Sequence, residues 1–359
     1  MKNIVALFAF ILIHVNIYAQ ATYTISGTVK NNKGELLQAA TVFIAGSEKA
    51  VATDTEGYFK FVNLAPGTYQ LVVNMLGYAP AKRNVILKDA PETVMLSLAP
   101  KEIMLNEVNI GDKSQRKKYI KTFTDAFMGE SSNVKYCKIL NPELLEFSTA
   151  RGVLKATTPD FLVIENGALG YRIKYLLKTF SYEAARNITL YDGDYSFEQM
   201  NGTTEQQQKW EKKRLEAYEG SLMHYLRSLY AGTTRQEGFL LYKILNATFP
   251  MYIESIPITP EQIIDRAEKD LITFKYSYRF YILYDKKKAS KPDPTHASQD
   301  RVSDLDNNGS IFKTDARVDS RGSFTNYETL LIQGFWGRKR VADQLPWEYM
   351  PPKAAVNKN

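Results

Sequence analysis

The chain opens on an almost unbroken apolar stretch, Ile4 to Val15, and only afterwards begins to alternate. From Tyr23 hydrophobic and polar positions exchange at short intervals with turn residues between them, the rhythm of a domain built from short strands. Strands are predicted at Thr24 to Lys30, Ala40 to Ala45, Tyr58 to Phe61, Tyr69 to Leu76, Val85 to Leu87 and Thr93 to Leu98. The breaks have turn chemistry. Asn31 to Gly34 is a turn-forming cluster, and in Thr53 to Gly57 the Asp54 side chain is suited to cap backbone N–H groups while Gly57 supplies a positive φ. Pro66-Gly67 is the central pair of a type II turn, and Gly77-Tyr78 ends the most apolar strand.

The pattern changes after Gly111. Glu102 to Gly111 reads as a linker strand, and Lys113 to Phe127 has helical period, with Ile120, Phe123 and Phe127 on one stripe and the basic residues off it. Short strands are predicted at Glu143 to Ser148, Val153 to Ala156 and Phe161 to Ile164, then a longer one at Tyr171 to Tyr182 and another at Ile188 to Tyr191. Asn166-Gly167 is a type I′ hairpin signal among them. Glu205 to Tyr230 predicts one long helix: Trp210, Arg214, Tyr218, Leu222, Tyr225 and Leu229 trace one side, and Gly232 stands just past its end. Thr259-Pro260-Glu261-Gln262 is a capping box with proline at N1, predicting a short helix to about Lys269.

Leu271 to Tyr284 predicts a single long antiparallel strand. One face carries Ile272, Phe274, Tyr276, Tyr278, Phe280, Ile282 and Tyr284; the other carries Thr273, Lys275, Ser277 and Arg279. One such strand does not make a membrane barrel, so a curved sheet packed on helices is expected. The chain then divides into a signal peptide (1–19), a β-domain (20–100), a linker (101–112), an α+β domain with long antiparallel strands (113–285), a polar linker or loop (286–310), and a last segment (311–359) whose strands return to the second domain.

Composition adds an address. With 44% apolar and 12% aromatic residues the chain can build real cores. Lys2, the apolar stretch and Ile17-Tyr18-Ala19 form a secretory leader with cleavage after Ala19. The stretch is shorter than the ~20 residues a spanning helix needs, so no transmembrane span is expected after its removal. No cysteine stands near the cleavage point to take a lipid, and His14 leaves with the leader. The expected location is exported and periplasmic, with association to the outer membrane as an extension. Cys137 is the single cysteine, which excludes an intramolecular disulfide. No base neighbours it in sequence, and Tyr136, Ile139 and Leu140 point to a buried structural thiol.

The net charge of +7 gathers in four runs: Lys113 to Lys121, Lys209 to Arg214, Lys286 to Lys291 and Arg338 to Arg340. In an exported chain the matching anions are membrane surface, lipopolysaccharide or acidic glycan rather than nucleic acid. A solvated face is the plainer reading of each run.

Gly27, Val29, Gly34, Ala40, Val42, Gly46, Thr53, Asp54, Gly57, Phe59, Pro66, Gly67, Tyr69, Gly77 and Tyr78 together resemble the carboxypeptidase regulatory-like domain. That resemblance implies an all-β sandwich, seven-stranded and transthyretin-like, similar to the N-terminal extension of many TonB-dependent outer-membrane receptors. Ala39 departs from the pattern, which carries glycine there. The matching residues are turn and core positions, so the resemblance implies no binding residue. Nor does it imply peptidase activity: a zinc carboxypeptidase needs two His and a Glu, the first pair as His-x-x-Glu. Beyond the leader only His224 and His296 remain, and His224 is followed by Tyr225-Leu226-Arg227. A complete receptor is excluded by length, since roughly 260 residues follow the sandwich and a 22-stranded barrel with a plug needs far more. The strings CKILNPELLEF, ENGALGYRIKYLL and KWEKKRLEAYEGSLMHYLRSLY resemble a group of exported Gram-negative proteins that pair this sandwich with such a second region, from about Thr22 to Ile244. That resemblance implies an architecture and no mechanism.

Three patterns are candidates for chemistry. Asp304, Asp306 and Asn308, with Gly309 and Ile311, have the spacing of an EF-hand-type calcium loop, but position 12 is Asp315 rather than Glu and flanking amphipathic helices are not evident. A flexible turn is the plainer reading, and no metal is assigned. Asp192, Asp194 and Glu198 could supply the carboxylate pair of a glycoside hydrolase, although Asp-Gly is first a turn signal. Trp210, Trp336 and Trp347 could stack on sugar, yet a core role suits most aromatics better, and His224 reads as a structural histidine beside the helix stripe. No catalytic, cofactor-binding or metal-binding residue is assigned, and no cofactor is called for. Two functions stay open. One is a non-enzymatic envelope protein whose sandwich is an interaction module and whose second domain binds an envelope protein or glycan. The other is a hydrolase acting on glycan or peptidoglycan, favoured by a carboxylate pair in one aromatic-lined cleft.

Overall fold

The computed structural model describes residues 22–101, 113–246, 250–275, 279–302, 308–324 and 330–352. A β-rich N-terminal region is followed by a mixed α/β region containing several antiparallel sheets, and the chain as a whole is mostly β.

The N-terminal strands are β1 (Tyr23–Asn31), β2 (Thr41–Ile44), β3 (Ala50–Ala52), β4 (Tyr58–Leu64), β5 (Gly67–Asn74), β6 (Ala81–Leu87) and β7 (Glu92–Leu98). They form two sheets, β4-β1-β7 and β3-β2-β5-β6, packed over one core. Alternation explains the packing: Ile25 and Val29 of β1 and Val94, Leu96 and Leu98 of β7 face Val42 and Ile44 of β2 and Leu71 and Val73 of β5. β7 runs parallel to β1, while the other pairings here are antiparallel. The turn chemistry holds at Asp54, whose Oδ1 accepts from Glu56 N and Tyr58 N, and at Gly57, with φ of 63°. Ala39, which replaces the expected glycine, takes the same left-handed backbone at φ 61°. Pro66-Gly67 is not the type II turn expected: Gly67 opens β5 at φ 156°, and a Cβ there would stand 2.5 Å from Asp319 Oδ2. The glycine serves a tertiary approach.

The second region begins with α1 (Lys113–Met128), then β8 (Cys137–Ile139), β9 (Glu146–Ala150), β10 (Val153–Thr157), β11 (Leu162–Asn166), β12 (Tyr171–Glu183) and β13 (Ile188–Gln199). Their sheet has the order β8-β11-β12-β10-β9, with β13 along the other edge of β12. The hairpin at Asn166 forms, but not with a type I′ turn. Its loop is 167–170, Gly170 carries the positive φ of 68°, and Asn166 Oδ1 accepts from Ala168 N and Leu169 N. Asp192-Gly193-Asp194 is likewise not a turn; it lies inside β13.

The long predicted helix is two: α2 (Thr204–Tyr218) and α3 (Leu222–Ala231). The break is set by packing. Gly220 has φ 71° and sits where a Cβ would meet the Tyr284 ring at 2.6 Å, its carbonyl accepts from Trp336 Nε1, and Ser221 caps α3. Next come β14 (Phe239–Asn246), β15 (Tyr252–Glu254), β16 (Ile264–Asp265), β17 (Leu271–Phe274), β18 (Phe280–Tyr284), α4 (Lys286–Ala289), β19 (Gln299–Arg301), β20 (Gly309–Lys313), β21 (Arg317–Asp319), β22 (Leu331–Gly334) and α5 (Phe335–Arg338). The Thr259 capping box is present, but it closes a single 3₁₀ turn, Pro260–Gln262, and the chain then enters β16.

The single long strand expected at Leu271 to Tyr284 is instead two strands in different sheets. β17 lies in β16-β17-β21 and β18 in β19-β15-β14-β18-β20-β22. Phe280 to Leu283 are all buried, so both faces of β18 are covered rather than one; Tyr276, Ser277 and Tyr278 lie outside the described residues. Packing against a helix is as expected: Ile272, Phe274, Phe280 and Ile282 share a core with Tyr225, Leu226 and Leu229 of α3. No helix among the described residues is long and apolar enough to cross a membrane.

Candidate functional site

The carboxylates singled out by sequence sit at alternate positions on one face of β13. Same-face residues along a strand are about 7 Å apart, so backbone spacing alone would admit a catalytic pair. Their neighbours decide otherwise. Lys178 Nζ is 3.0 Å from Asp192, Lys82 of β6 comes to 4.0 Å from Asp194, and Glu198 stands between Arg172 Nη1 at 3.7 Å and Lys174 Nζ at 3.6 Å. The register makes this a cross-strand ladder: Arg172 lies opposite Glu198 and, on its other side, opposite Glu165, whose carboxylate accepts at 2.8 Å. Burial pushes the Asp194 carboxyl above the usual carboxylate range against the pull of Lys82. Leu176, opposite Asp194, packs on Phe43 and Val72 of the N-terminal unit. This part of the sheet face is therefore covered from within the chain.

That cover is held by a network of polar contacts. Gly46 N donates to Tyr195 O and Phe197 N to Ser47 O, so the 46–47 turn adds a short parallel bridge to the edge of β13. Behind it Asp319, fully buried, accepts through Oδ2 from Thr68 N at 2.9 Å and from Arg321 Nη2 at 2.6 Å. The Arg321 guanidinium lies 4.0 Å over the Tyr69 ring and donates to Thr68 O. Burial pushes the Tyr69 phenol up to about 12. Arg227 of α3 donates to three carbonyls, Arg321 O, Trp347 O and Tyr349 O. The Trp347 indole N–H then reaches Ala45 O at 3.1 Å. A strap after α5 ties these together: Val341, Ala342 and Leu345 fill the core beneath β12, and Trp347 joins the core around α3. Sequence offered no signal for Asp319, Arg321 or Arg227, because their partners are remote in the chain.

The tryptophans and His224 have structural partners. All three tryptophans are buried and donate to backbone carbonyls: Trp210 to Gly167 O, Trp336 to Gly220 O and Trp347 to Ala45 O. His224 accepts from Gly220 N at Nδ1, which places its proton on Nε2, 3.2 Å from Glu237. Burial holds its pKa below the ordinary 6.5 against the pull of Glu237. The Cys137 thiol is half-buried and pushed up to about 12 by desolvation, so it stays protonated. His296 is exposed and meets only Thr295 Oγ1 at 3.0 Å. Asp304 and Asp306 of the calcium-type pattern lie outside the described residues. Among the described residues no cluster of His, Cys, Asp and Glu has a metal-holding arrangement. A hollow of about 530 Å³ beside α4 is lined by Tyr242, Pro257, Lys287, Lys288, Asp293 and Asp300 among others, with Arg235 gripping Asp293 at 2.8 Å. Its charges are of both signs.

With this geometry in hand, comparison with known proteins places the first unit. Residues 25–110 match the CarboxypepD_reg-like domain, so the chain carries that domain at its N-terminal end. The family accounts for nothing beyond Ile110. No curated protein matches the chain. Among solved structures, the minor pilin of Streptococcus agalactiae is similar at 16% identity, over 23% of this chain and 46% of that one, with a TM-score of 0.21. A 3-chlorocatechol 1,2-dioxygenase of Rhodococcus opacus is similar at 10% identity over 24% and 62%, again at 0.21. The shaft pilin SpaA of Lactobacillus rhamnosus is similar at 16% identity over 23% and 48%, at 0.20. This chain thus spans less than two thirds of each of these proteins, and likenesses at that level carry no argument about what it does.

Proposed function

We propose that this is an exported, periplasmic envelope protein of the binding class, in which a transthyretin-like sandwich is an interaction module docked on a second domain that holds an envelope protein or glycan. The carrying observation is the fate of the carboxylate set that the sequence singled out: each member faces a lysine or arginine on a sheet face partly covered by the N-terminal unit. A glycosidase needs its acid and its base free on either side of a sugar ring. The docked sheet leaves the opposite one, β4-β1-β7, to present Tyr58, Val62 and Met95 to solvent. Export rests on Lys2 and the apolar stretch behind it, and association with the outer membrane is the extension of that reading.

The hydrolase alternative keeps one observation in its favour, the raised Asp194 carboxyl beside Asp192. Titrating the purified protein with soluble peptidoglycan fragments while following product release by chromatography separates the two. Binding without new products, unchanged in Asp194→Asn, is expected. Product release that disappears in Asp194→Asn would establish the hydrolase. Envelope fractionation of the tagged protein tests the address, and recovery in the cytoplasm would overturn it.

A further inference from the structure

Gly220 is the joint between α2 and α3, and side chains satisfy both of its backbone polar groups. Its carbonyl accepts from Trp336 Nε1 at 2.8 Å, and its N–H donates to His224 Nδ1 at 3.1 Å. The amides on either side bond to backbone instead, Glu219 N to Leu215 O and Ser221 N to Tyr218 O. His224 is 5% exposed. Its ring lies 4.7 Å from the Tyr218 ring and edge-on to Phe239 at 4.9 Å and Tyr284 at 5.8 Å. A backbone N–H can only donate, so Nδ1 must stay an unprotonated acceptor for this joint to hold.

Protonation changes that contact in kind. A proton on Nδ1 would face the Gly220 N–H, donor against donor, in a buried site. The charged groups around the ring do not repair this. Glu237, 3.2 Å from Nε2, favours the cation but reaches only that nitrogen. Glu219 and Lys286 are paired with each other at 2.8 Å and act on the ring in opposite senses. Burial pushes the Tyr218 and Tyr284 phenols up, so they stay neutral. Relief requires the ring to leave Gly220. Within the next turn of α3, Arg227 donates to Arg321 O, Trp347 O and Tyr349 O, so the helix that starts at this joint also grips the strap. On the strap itself burial raises the Asp343 and Glu348 carboxyls, so their titration opposes opening in acid.

We propose that His224 is a proton-operated latch: its protonation releases the Gly220 joint between α2 and α3 and loosens the strap that α3 holds. Burial keeps the closed form's imidazole below the ordinary 6.5, so the open form takes the proton first and opening is favoured as the pH falls through 6.5. Hydrogen exchange of the full chain, followed by mass spectrometry and corrected for the intrinsic pH dependence of exchange, reads the latch directly. Protection of peptides covering 216–226 and 341–349 should fall by up to about tenfold per pH unit below about pH 6.5, while a peptide covering β5 of the sandwich keeps its protection. His224→Asn retains an acceptor near the place of Nδ1 and carries no proton. Both peptides should then be protected at neutral pH and lose the response to acid. Glu237→Gln, at a half-exposed position, removes the group that favours the closed cation, so the loss of protection should continue to lower pH. A response that survives in His224→Asn would overturn the proposal, as would an equal fall in protection along the whole chain or a joint that opens with the strap unmoved. The ring nitrogen shifts of the unaltered protein decide the matter without a variant. Nδ1 should remain an unprotonated acceptor down to the pH at which the joint peptide opens, and a protonated Nδ1 in a closed joint would overturn the latch.

Discussion

The N-terminal unit and the region behind it bury their hydrophobic surface by different means. The sandwich core is chiefly aliphatic and local: Ile25, Val29, Val42, Leu71, Val73 and Leu96 alternate along strands close together in the chain. Beneath β12 the core is a network of rings. Phe123 meets Phe127 at 4.8 Å and Phe180 at 4.7 Å, Phe127 meets Tyr175 at 4.9 Å, and the network is closed by Val341 and Ala342 from the far end of the chain. A core of the first kind is complete once its strands pair. One of the second kind is complete only after the strap has returned, and the same strap then reaches Ala45 through Trp347. The sandwich has a core of its own, and it docks through an apolar contact of Phe43 and Val72 with Leu176 and a polar one centred on Asp319.

Breaking that docking should have the largest effect. Asp319→Ala leaves the Arg321 guanidinium buried without its carboxylate, a change that costs about 3–5 kcal/mol. Urea unfolding should then split, the second region going first and the sandwich later; a single shared transition would show that the two units stay coupled by other contacts. Trp347→Phe keeps a ring in the core but removes the donor to Ala45 O, and should cost about 1–2 kcal/mol on the same measurement. Ala39→Gly acts inside the sandwich alone. It relieves an exposed non-glycine residue at φ 61° and should raise the sandwich transition by about 1 kcal/mol while leaving the other unmoved. The smallest effect is pH-dependent and belongs to the second region. Burial lowers the folded pKa of His224 below 6.5, so the unfolded chain binds that proton more readily. Stability from this group is complete above pH 6.5 and is lost as the pH falls through 6.5 toward the lower folded value. His224→Gln should flatten that part of the stability profile.

The carboxylates of β13 show why sequence went only part of the way. Asp192, Asp194 and Glu198 were visible as a group, yet the lysines and arginines that occupy them lie on β12 and β6. Strand pairing between remote segments cannot be read from spacing. The helix break at Gly220 was hidden for the same reason, since the hydrophobic stripe runs through it unbroken and only Tyr284 and Trp336 explain the glycine. The 271–284 segment misled more directly. Its alternation satisfied a single strand, whereas β17 and β18 each have different partners on different sheets.

The sequence by itself determined the N-terminal sandwich, because alternation and turn chemistry such as Asp54 and Gly57 act within a few residues. It also determined the helical period of α1 and the unusual density of charge on it. Only the tertiary structure decided which charges stay free. Lys178 and Lys286 are paired with Asp192 and Glu219 on other elements, while Lys113, Lys117 and Lys118 have no acidic partner among the described residues. It also decided that Gly67 exists to admit Asp319 and that the chain's end closes the aromatic core. The reason is one of range: turns and periods are local properties of the backbone, whereas the neutralisation of a charge depends on which distant segment packs beside it.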